Sequence, residues 1–307
     1  DSKGMNRLYS VESDLTITGG VADHRLRLSS SQIEGFSALI LSKLLQTSAD
    51  KNDKLLAHLD SLSEGLESQE EWASECANDL LINSKHSLAV AGSHLPASVH
   101  LLTYKINQVL GNHGTCLDYL QIEDSAGDLS SLCESLENKD IDTLIFLGGN
   151  PVYHCPSIDW ADLIKNTSST YRLGASIDET SQLCDYHTGQ SHFLECWDIG
   201  KTWTQDAYAR TQPLLAPIFD TLSDLELLSS VLGEIKNSHD IVKSYFEEIP
   251  DISENFENFL KHGVSPAKSA SLKDLPNADA AILKIEGYQI EISASSLEVL
   301  LVPDFHT

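Results

Sequence analysis

Two apolar runs in the middle of the chain end in polar or glycine-containing loops. Thr143-Leu144-Ile145-Phe146-Leu147 leads into Gly148-Gly149-Asn150-Pro151, and the run from Tyr171 to Ile177 leads into Asp178-Glu179-Thr180. Short continuous apolar runs predict buried strands of the parallel kind, and a helix is expected between these two from Ser157 to Asn166. A further α/β unit is predicted from strand Leu88–Ala91, the turn Gly92-Ser93-His94-Leu95-Pro96, and a helix carrying Val99, Leu102, Ile106, Val109 and Leu110 that stops at Gly111. Strand Cys116–Ile122 and helix Asp128–Leu136 complete the next unit.

The flanks follow other periods. Residues 6–28 look extended, with a turn at Thr16–Gly20. Ser31 with Glu34 makes a capping-box pattern before Ile33, Phe36, Ile40 and Leu44. Helical spacing continues through Leu55, Leu56, Leu59 and Leu62, then Trp72, Cys76 and Leu80. An extended run, Tyr208–Leu215, precedes an amphipathic helix with Leu225, Leu228, Leu232 and Ile235, for which Thr221 is the expected cap. Ile282–Ile285 and Tyr288–Ile292 around Glu286-Gly287 predict a β-hairpin, with a last strand at Val299–Val302.

Strands alternating with helices indicate an α/β fold: a doubly wound, mostly parallel sheet with flanking helices, plus a small C-terminal β-hairpin region. The expected organisation is an N-terminal segment of extended chain and helices (1–86), a Rossmann-like α/β domain (87–264), a linker or mobile loop (265–280) and the hairpin segment (281–307).

Charge narrows the function. With 46 acidic against 20 basic side chains the net charge is −26. No Lys/Arg cluster offers a phosphate-backbone footprint, which argues against nucleic acid. An acidic surface suits solubility, and equally a basic partner such as a small cytochrome. No apolar run is long enough to span a bilayer, so direct insertion is not expected. The N-terminus lacks a signal-peptide apolar core and reads as a cut or mature end.

The six cysteines, at 76, 116, 133, 155, 184 and 196, contain no Cys-x-x-Cys pair; most are expected to be buried free thiols. No dinucleotide Gly-x-Gly-x-x-Gly, phosphate-loop lysine motif, Gly-x-Ser-x-Gly elbow or His-Glu-x-x-His is present.

Three constellations remain. In open α/β sheets ligands bind beyond the carboxyl ends of strands, so Gly148, Gly149, Asn150, Asp178, Glu179 and Thr180 are candidate binding residues, with Gly92 and Ser93 on the corresponding loop upstream. Asp178-Glu179-Thr180 suits ribose hydroxyls, and it equally suits a helix N-cap; Gly148–Pro151 is either a ligand approach or a tight turn. Cys184, His187, His192 and Cys196 have the residue types of a tetrahedral zinc site, though neighbouring strands need not make them converge. Asp23-His24-Arg25 suggests acid/base chemistry or a turn anchored by an arginine–carboxylate contact.

Ala91–Pro96 with Ile106–Asn112, Leu147–Pro151 and Asp178–Asp185 together resemble stretches of molybdopterin oxidoreductases of the dimethyl sulfoxide reductase type. Thr18–Leu26, Asn150–Tyr153, His187–Glu195 and Gln212–Pro217 are similar to one subgroup, the large iron–sulfur subunit of alternative complex III, with matches in order over roughly residues 7–220. The resemblance implies loops that face a molybdopterin guanine dinucleotide, and a membrane-bound quinol-oxidising complex with other subunits and cytochromes as partners. It also implies export to the periplasmic face of the bacterial inner membrane.

The departures are as informative. Neither a cluster domain nor a molybdenum ligand is recognisable. Cys184-Asp185-Tyr186-His187-Thr188-Gly189 stands where catalytic members carry Ala-Asp-x-x-Leu-Pro. The expectation is therefore a middle piece of a larger subunit, acting as scaffold or docking domain with no redox centre and no cofactor of its own; iron–sulfur clusters belong to other parts of the parent. The alternatives are a nucleotide half-site of an active molybdenum enzyme, and a small metal protein built on Cys184, His187, His192 and Cys196.

Overall fold

The computed structural model describes residues 5–47, 52–120, 127–202, 207–250, 252, 254–267, 276–287 and 297–300. The chain divides into two compact units, Asp1–Tyr119 with Lys273–Thr307, and Leu120–Leu272.

In the first unit, β1 (Tyr9–Glu12), the single turn α1 (Ile17–Gly20) and β2 (His24–Arg27) make a parallel pair with Tyr9 opposite His24. Arg25 donates to Glu12 at 2.6 Å, so the anchoring contact in the Asp23-His24-Arg25 stretch is made across the two strands. Four helices follow: α2 (Ile33–Gln46), α3 (Asp53–Leu62), α4 (Glu70–Ile82) and α5 (Ala97–Val109). Apolar residues cover nearly every side of α2, which places it centrally: it packs against α3, α4 and α5, and Leu41, Leu44, Leu55, Leu59, Leu102 and Leu110 are fully enclosed.

Four expectations fail in this unit. Leu88–Ala91 is not a strand, because the buried Asn107 side chain does the work of a neighbouring strand: its Oδ1 accepts from Ala89 N at 3.0 Å and its Nδ2 donates to Ala89 O at 2.8 Å. The Cys116–Ile122 segment forms no strand over its described part, where Leu117 bridges to His113 and Leu120 is also in an isolated bridge. The Ser31–Glu34 capping box does not form. Glu34 turns inward to accept from Ser98, and the free N–H groups of Ser30 and Ser31 donate instead to the two carboxylate oxygens of Glu298, at 2.9 and 2.7 Å. Of the expected first hairpin arm, Ile282–Ile285, the first residue ends a helix, Asp279–Ile282, and Leu283–Gly287 forms no strand. Tyr288–Ile292 lies outside the described residues, as do the last two positions of the Val299–Val302 strand, whose first two are not in a strand.

The second unit holds the parallel sheet. After α6 (Leu129–Glu137) come β3 (Thr143–Leu147), α7 (Pro151–His154), α8 (Trp160–Ile164), β4 (Ser169–Gly174), α9 (Glu179–Leu183) and β5 (Tyr186–Gly189). The strands lie in the order β3-β4-β5, with Leu147 opposite Leu173 and Gly174 opposite Gly189. Leu136, Leu144, Phe146, Trp160, Leu163 and Ile164 fill the space between the sheet and its helices.

A second, antiparallel sheet follows, from β6 (Asp198–Lys201), β7 (Ala207–Thr211) and β8 (Val264–Pro266). It packs with α11 (Ser238–Glu248) and α12 (Phe256–His262) through Tyr208, Val242, Phe246, Phe256 and Phe259. These two helices have no counterpart among the sequence expectations, and β8 uses the start of the expected linker, whose residues 268–275 lie outside the described residues. α10 (Asp224–Val231) is capped by Ser223 in a full capping box with Glu226; Thr221 hydrogen-bonds Ser191 instead. The helix α13 (Asp279–Ile282) closes the series and belongs to the first unit.

The architecture is thus mixed α/β, with parallel sheets, flanking helices and a small antiparallel sheet toward the C-terminus. Among the described residues no helix is long and apolar enough to cross a membrane.

Candidate functional site

The carboxyl ends of β3 and β4 are organised by a residue the apolar pattern hides. Arg172 sits in the middle of β4 with its side chain only 3% exposed. A guanidinium cannot shed its charge, so burial obliges it to find acceptors. It donates to the carbonyl oxygens of Gly148 and Gly149, to Leu173 O at 3.0 Å and to Asp178 Oδ2 at 2.7 Å. The Gly-Gly turn after β3 therefore folds its carbonyls inward onto the arginine. Both glycines take left-handed conformations to do so, with φ of +59° and +53°, which side chains with a Cβ resist. Gly174 completes the fit: a Cβ there would stand 2.9 Å from the Arg172 guanidinium carbon.

Asp178 is doubly committed. While Oδ2 meets Arg172, Oδ1 accepts from the backbone N–H and the hydroxyl of Ser181, both at 2.8 Å, capping α9. Of the two readings of Asp178-Glu179-Thr180, the cap is the one the geometry realises. Burial pushes the Asp178 carboxyl upward, but the hydrogen bonds from Arg172 and Ser181 and the arginine charge outweigh it and hold the group at about 2.

The remaining polar groups satisfy one another. Thr180 is fully buried; its hydroxyl donates to Asn150 Oδ1 at 2.7 Å and accepts from Val152 N at 3.3 Å. Asn150 Nδ2 donates to Glu179 Oε2 at 2.7 Å, a contact that lowers the Glu179 carboxyl below its ordinary range. Lower down, Asp185 Oδ2 takes the N–H and hydroxyl of Thr170, both at 2.9 Å, while Asp185 N donates back to that hydroxyl, fixing β5 beside β4.

Six of the eight predicted binding residues, Gly148, Gly149, Asn150, Asp178, Glu179 and Thr180, thus come together in the second unit. Gly92 and Ser93 lie in the first, in a loop where a Cβ on Gly92 would meet the His94 ring at 2.8 Å. Sequence reasoning missed Arg172. The signal was available: a lone charge inside a strand with apolar neighbours needs a partner at the strand's end.

For a dinucleotide, the donor and acceptor set fits poorly. Of the groups suited to ribose hydroxyls, Asp178 is already engaged by Arg172 and Ser181 and Thr180 is enclosed, which leaves the exposed carboxylate of Glu179 as the most open acceptor.

The zinc alternative does not assemble either. Among the described residues no three His, Cys, Asp or Glu side chains form a metal-holding group. Cys184 packs against the core beneath β3 and β4, while His192 Nδ1 accepts from Leu194 N and Cys196 Sγ lies 3.5 Å from His192 O. All six cysteines are free thiols, but only Cys76 is buried, and burial raises it to about 12.

The fold itself has a known parallel. It is similar to that of acetylene hydratase from Pelobacter acetylenicus. The two superpose with a TM-score of 0.59 at 11% sequence identity, over 86% of this chain and 48% of that one. The chain therefore spans about half the length of the structure it matches. No family model and no curated protein matches the sequence.

Proposed function

We propose that this chain is the molybdopterin-oxidoreductase-like α/β region of a larger electron-transfer subunit. It serves there as a scaffold and docking domain with no redox centre of its own. Support for the lineage comes from the fold shared with acetylene hydratase, a molybdopterin enzyme, together with the motif resemblance over residues 7–220. The finer reading follows the resemblance alone. The parent would be the iron–sulfur subunit of a quinol-oxidising complex on the periplasmic face of the inner membrane, with cytochrome-bearing and other subunits as partners.

One observation favours a scaffold over a nucleotide half-site. Arg172 takes up acceptors at the edge that the resemblance would turn toward a pterin dinucleotide, joining the Gly148-Gly149 turn to Asp178. An edge closed by its own buried ion pair holds two strands in register and has little left with which to grip a ligand. Elemental analysis and an ultraviolet–visible spectrum of the purified chain test this. The scaffold reading expects a colourless protein without stoichiometric molybdenum, iron or zinc. A pterin absorbance that disappears on Asp178→Ala would establish the half-site in its place.

A further inference from the structure

α10 packs Leu225 against the core yet leaves a second set of apolar side chains open. It buries a serine and exposes leucines: Ser229 is 8% exposed, whereas Leu228, Val231 and Leu232 are 43%, 60% and 81% exposed. These three stand at i, i+3 and i+4, one continuous stripe on the helix surface. The stripe does not end with the helix. Ile235, past the Gly233 turn, is almost wholly exposed, and the loop leading into α10 leaves Leu214, Ile218 and Phe219 in the open.

That loop is not loose chain. Leu214 N donates to Leu194 O at 2.8 Å, Ile218 N to Glu195 Oε1 at 3.2 Å and Leu222 N to Gly189 O at 3.0 Å. Its apolar side chains are thus held outward by an ordered backbone. Exposed apolar side chains held in place in this way invite a covering partner.

Charge selects the occupant. From Gln212 to Lys236 the chain has four acids and one lysine; Lys236 pairs with Glu234 at 2.6 Å and Glu226 is engaged in the α10 cap, which leaves Asp220 and Asp224 as the acidic rim. A second copy of this chain would bring the same acidic rim and another −26 of net charge against it. An anionic bilayer would be repelled in the same way. We infer that the surface from Leu214 to Ile235 docks a protein face with an apolar centre and a lysine- or arginine-rich rim. The inference stands whether or not the Gly148–Asp178 edge binds a ligand.

A fluorescent amphipathic helical peptide of leucines and lysines serves as the probe, with a leucine–glutamate twin as control, both titrated into the purified chain and followed by anisotropy. The leucine–lysine peptide is expected to bind saturably and more weakly at high salt. Val231→Ser with Leu232→Ser should weaken it by about tenfold or more, as for loss of an interface centre, and Asp220→Lys should weaken it too. Val90→Ser, exposed in the first unit, should leave it unchanged. Undiminished binding to the Val231/Leu232 or Asp220 variants, or equal binding of the acidic twin, would overturn the proposal. So would a dimer in sedimentation that the same serine substitutions dissolve, since the occupant would then be a second copy.

Discussion

Replacing Arg172 by methionine removes the buried charge while keeping most of the side-chain length. It leaves the carbonyls of Gly148 and Gly149 without their donor and Asp178 Oδ2 without its cation. Breaking a buried pair from one side typically costs about 3–5 kcal/mol, because the partner charge stays behind uncompensated. Asp178 can recover some solvation, its side chain being 16% exposed, so the lower half of that range is expected, roughly a hundredfold or more in the folded-to-unfolded ratio. The loss should fall on the second unit. Trp160, fully buried against Phe146 at 6.1 Å between ring centroids, provides a local fluorescence signal for that unit's urea transition. Because the charges are coupled, Asp178→Asn should cost much less in the Arg172→Met background than in the wild type, giving an interaction energy of about 1–3 kcal/mol in a double-mutant cycle. A midpoint for Arg172→Met within about 1 kcal/mol of wild type, or strictly additive costs, would refute the assignment of Arg172 as the organiser of this edge.

Other outcomes follow from the same contacts. Asp178 is held at about 2, below its ordinary 3.8, so its contribution of about 2 kcal/mol is complete above pH 4 and lost as pH falls toward 2. The stability difference between wild type and Asp178→Asn should shrink over that interval in urea titrations at stepped pH. Gly174→Ala drives a methyl to 2.9 Å from a guanidinium pinned by its acceptors, an overpacking of about 1–3 kcal/mol. Gly149→Ala meets open space and should cost only its left-handed backbone, about 1 kcal/mol; calorimetric melting of the two variants checks the order. Asn107→Leu removes the surrogate ladder around Ala89 and strands the amide of Asn112. A loss of about 2–3 kcal/mol and new proteolytic cleavage between His86 and Leu95 are expected.

The parallel sheet was legible from its short apolar runs, although only one face of β3 is buried, through Leu144 and Phe146, while Thr143 and Leu147 stay exposed. Thr143–Leu147 is apolar throughout and became β3 with the expected bounds. The run starting at Tyr171 gave β4, displaced to Ser169–Gly174 because register with β3 carries the ladder back over the polar Ser169 and Thr170. Reading by apolar runs has a blind spot, and Arg172 fell into it: the pattern records which residues avoid water, not which charge is carried inside. Leu88–Ala91 failed for the opposite reason. Its apolar character is real, but Asn107, remote in sequence, satisfies the backbone that a strand neighbour would otherwise satisfy. The start of α2 shows the same long reach, since Glu298 supplies the cap that the local Ser31–Glu34 pattern promised. On α10 the periodicity was helical only as far as Val231: Leu225 packs inward, Leu228 faces out, and Leu232 and Ile235 fall beyond the helix; period identifies a face, and only packing decides what that face meets.

The central claim is that the Gly148–Asp178 edge is closed by its own arginine. Calorimetric titration of guanosine diphosphate, the nucleotide end of the dinucleotide such loops face in the resembling family, tests it most directly. No measurable heat of binding to the wild-type chain is predicted at millimolar nucleotide. Saturable micromolar binding that Asp178→Asn abolishes would contradict the account.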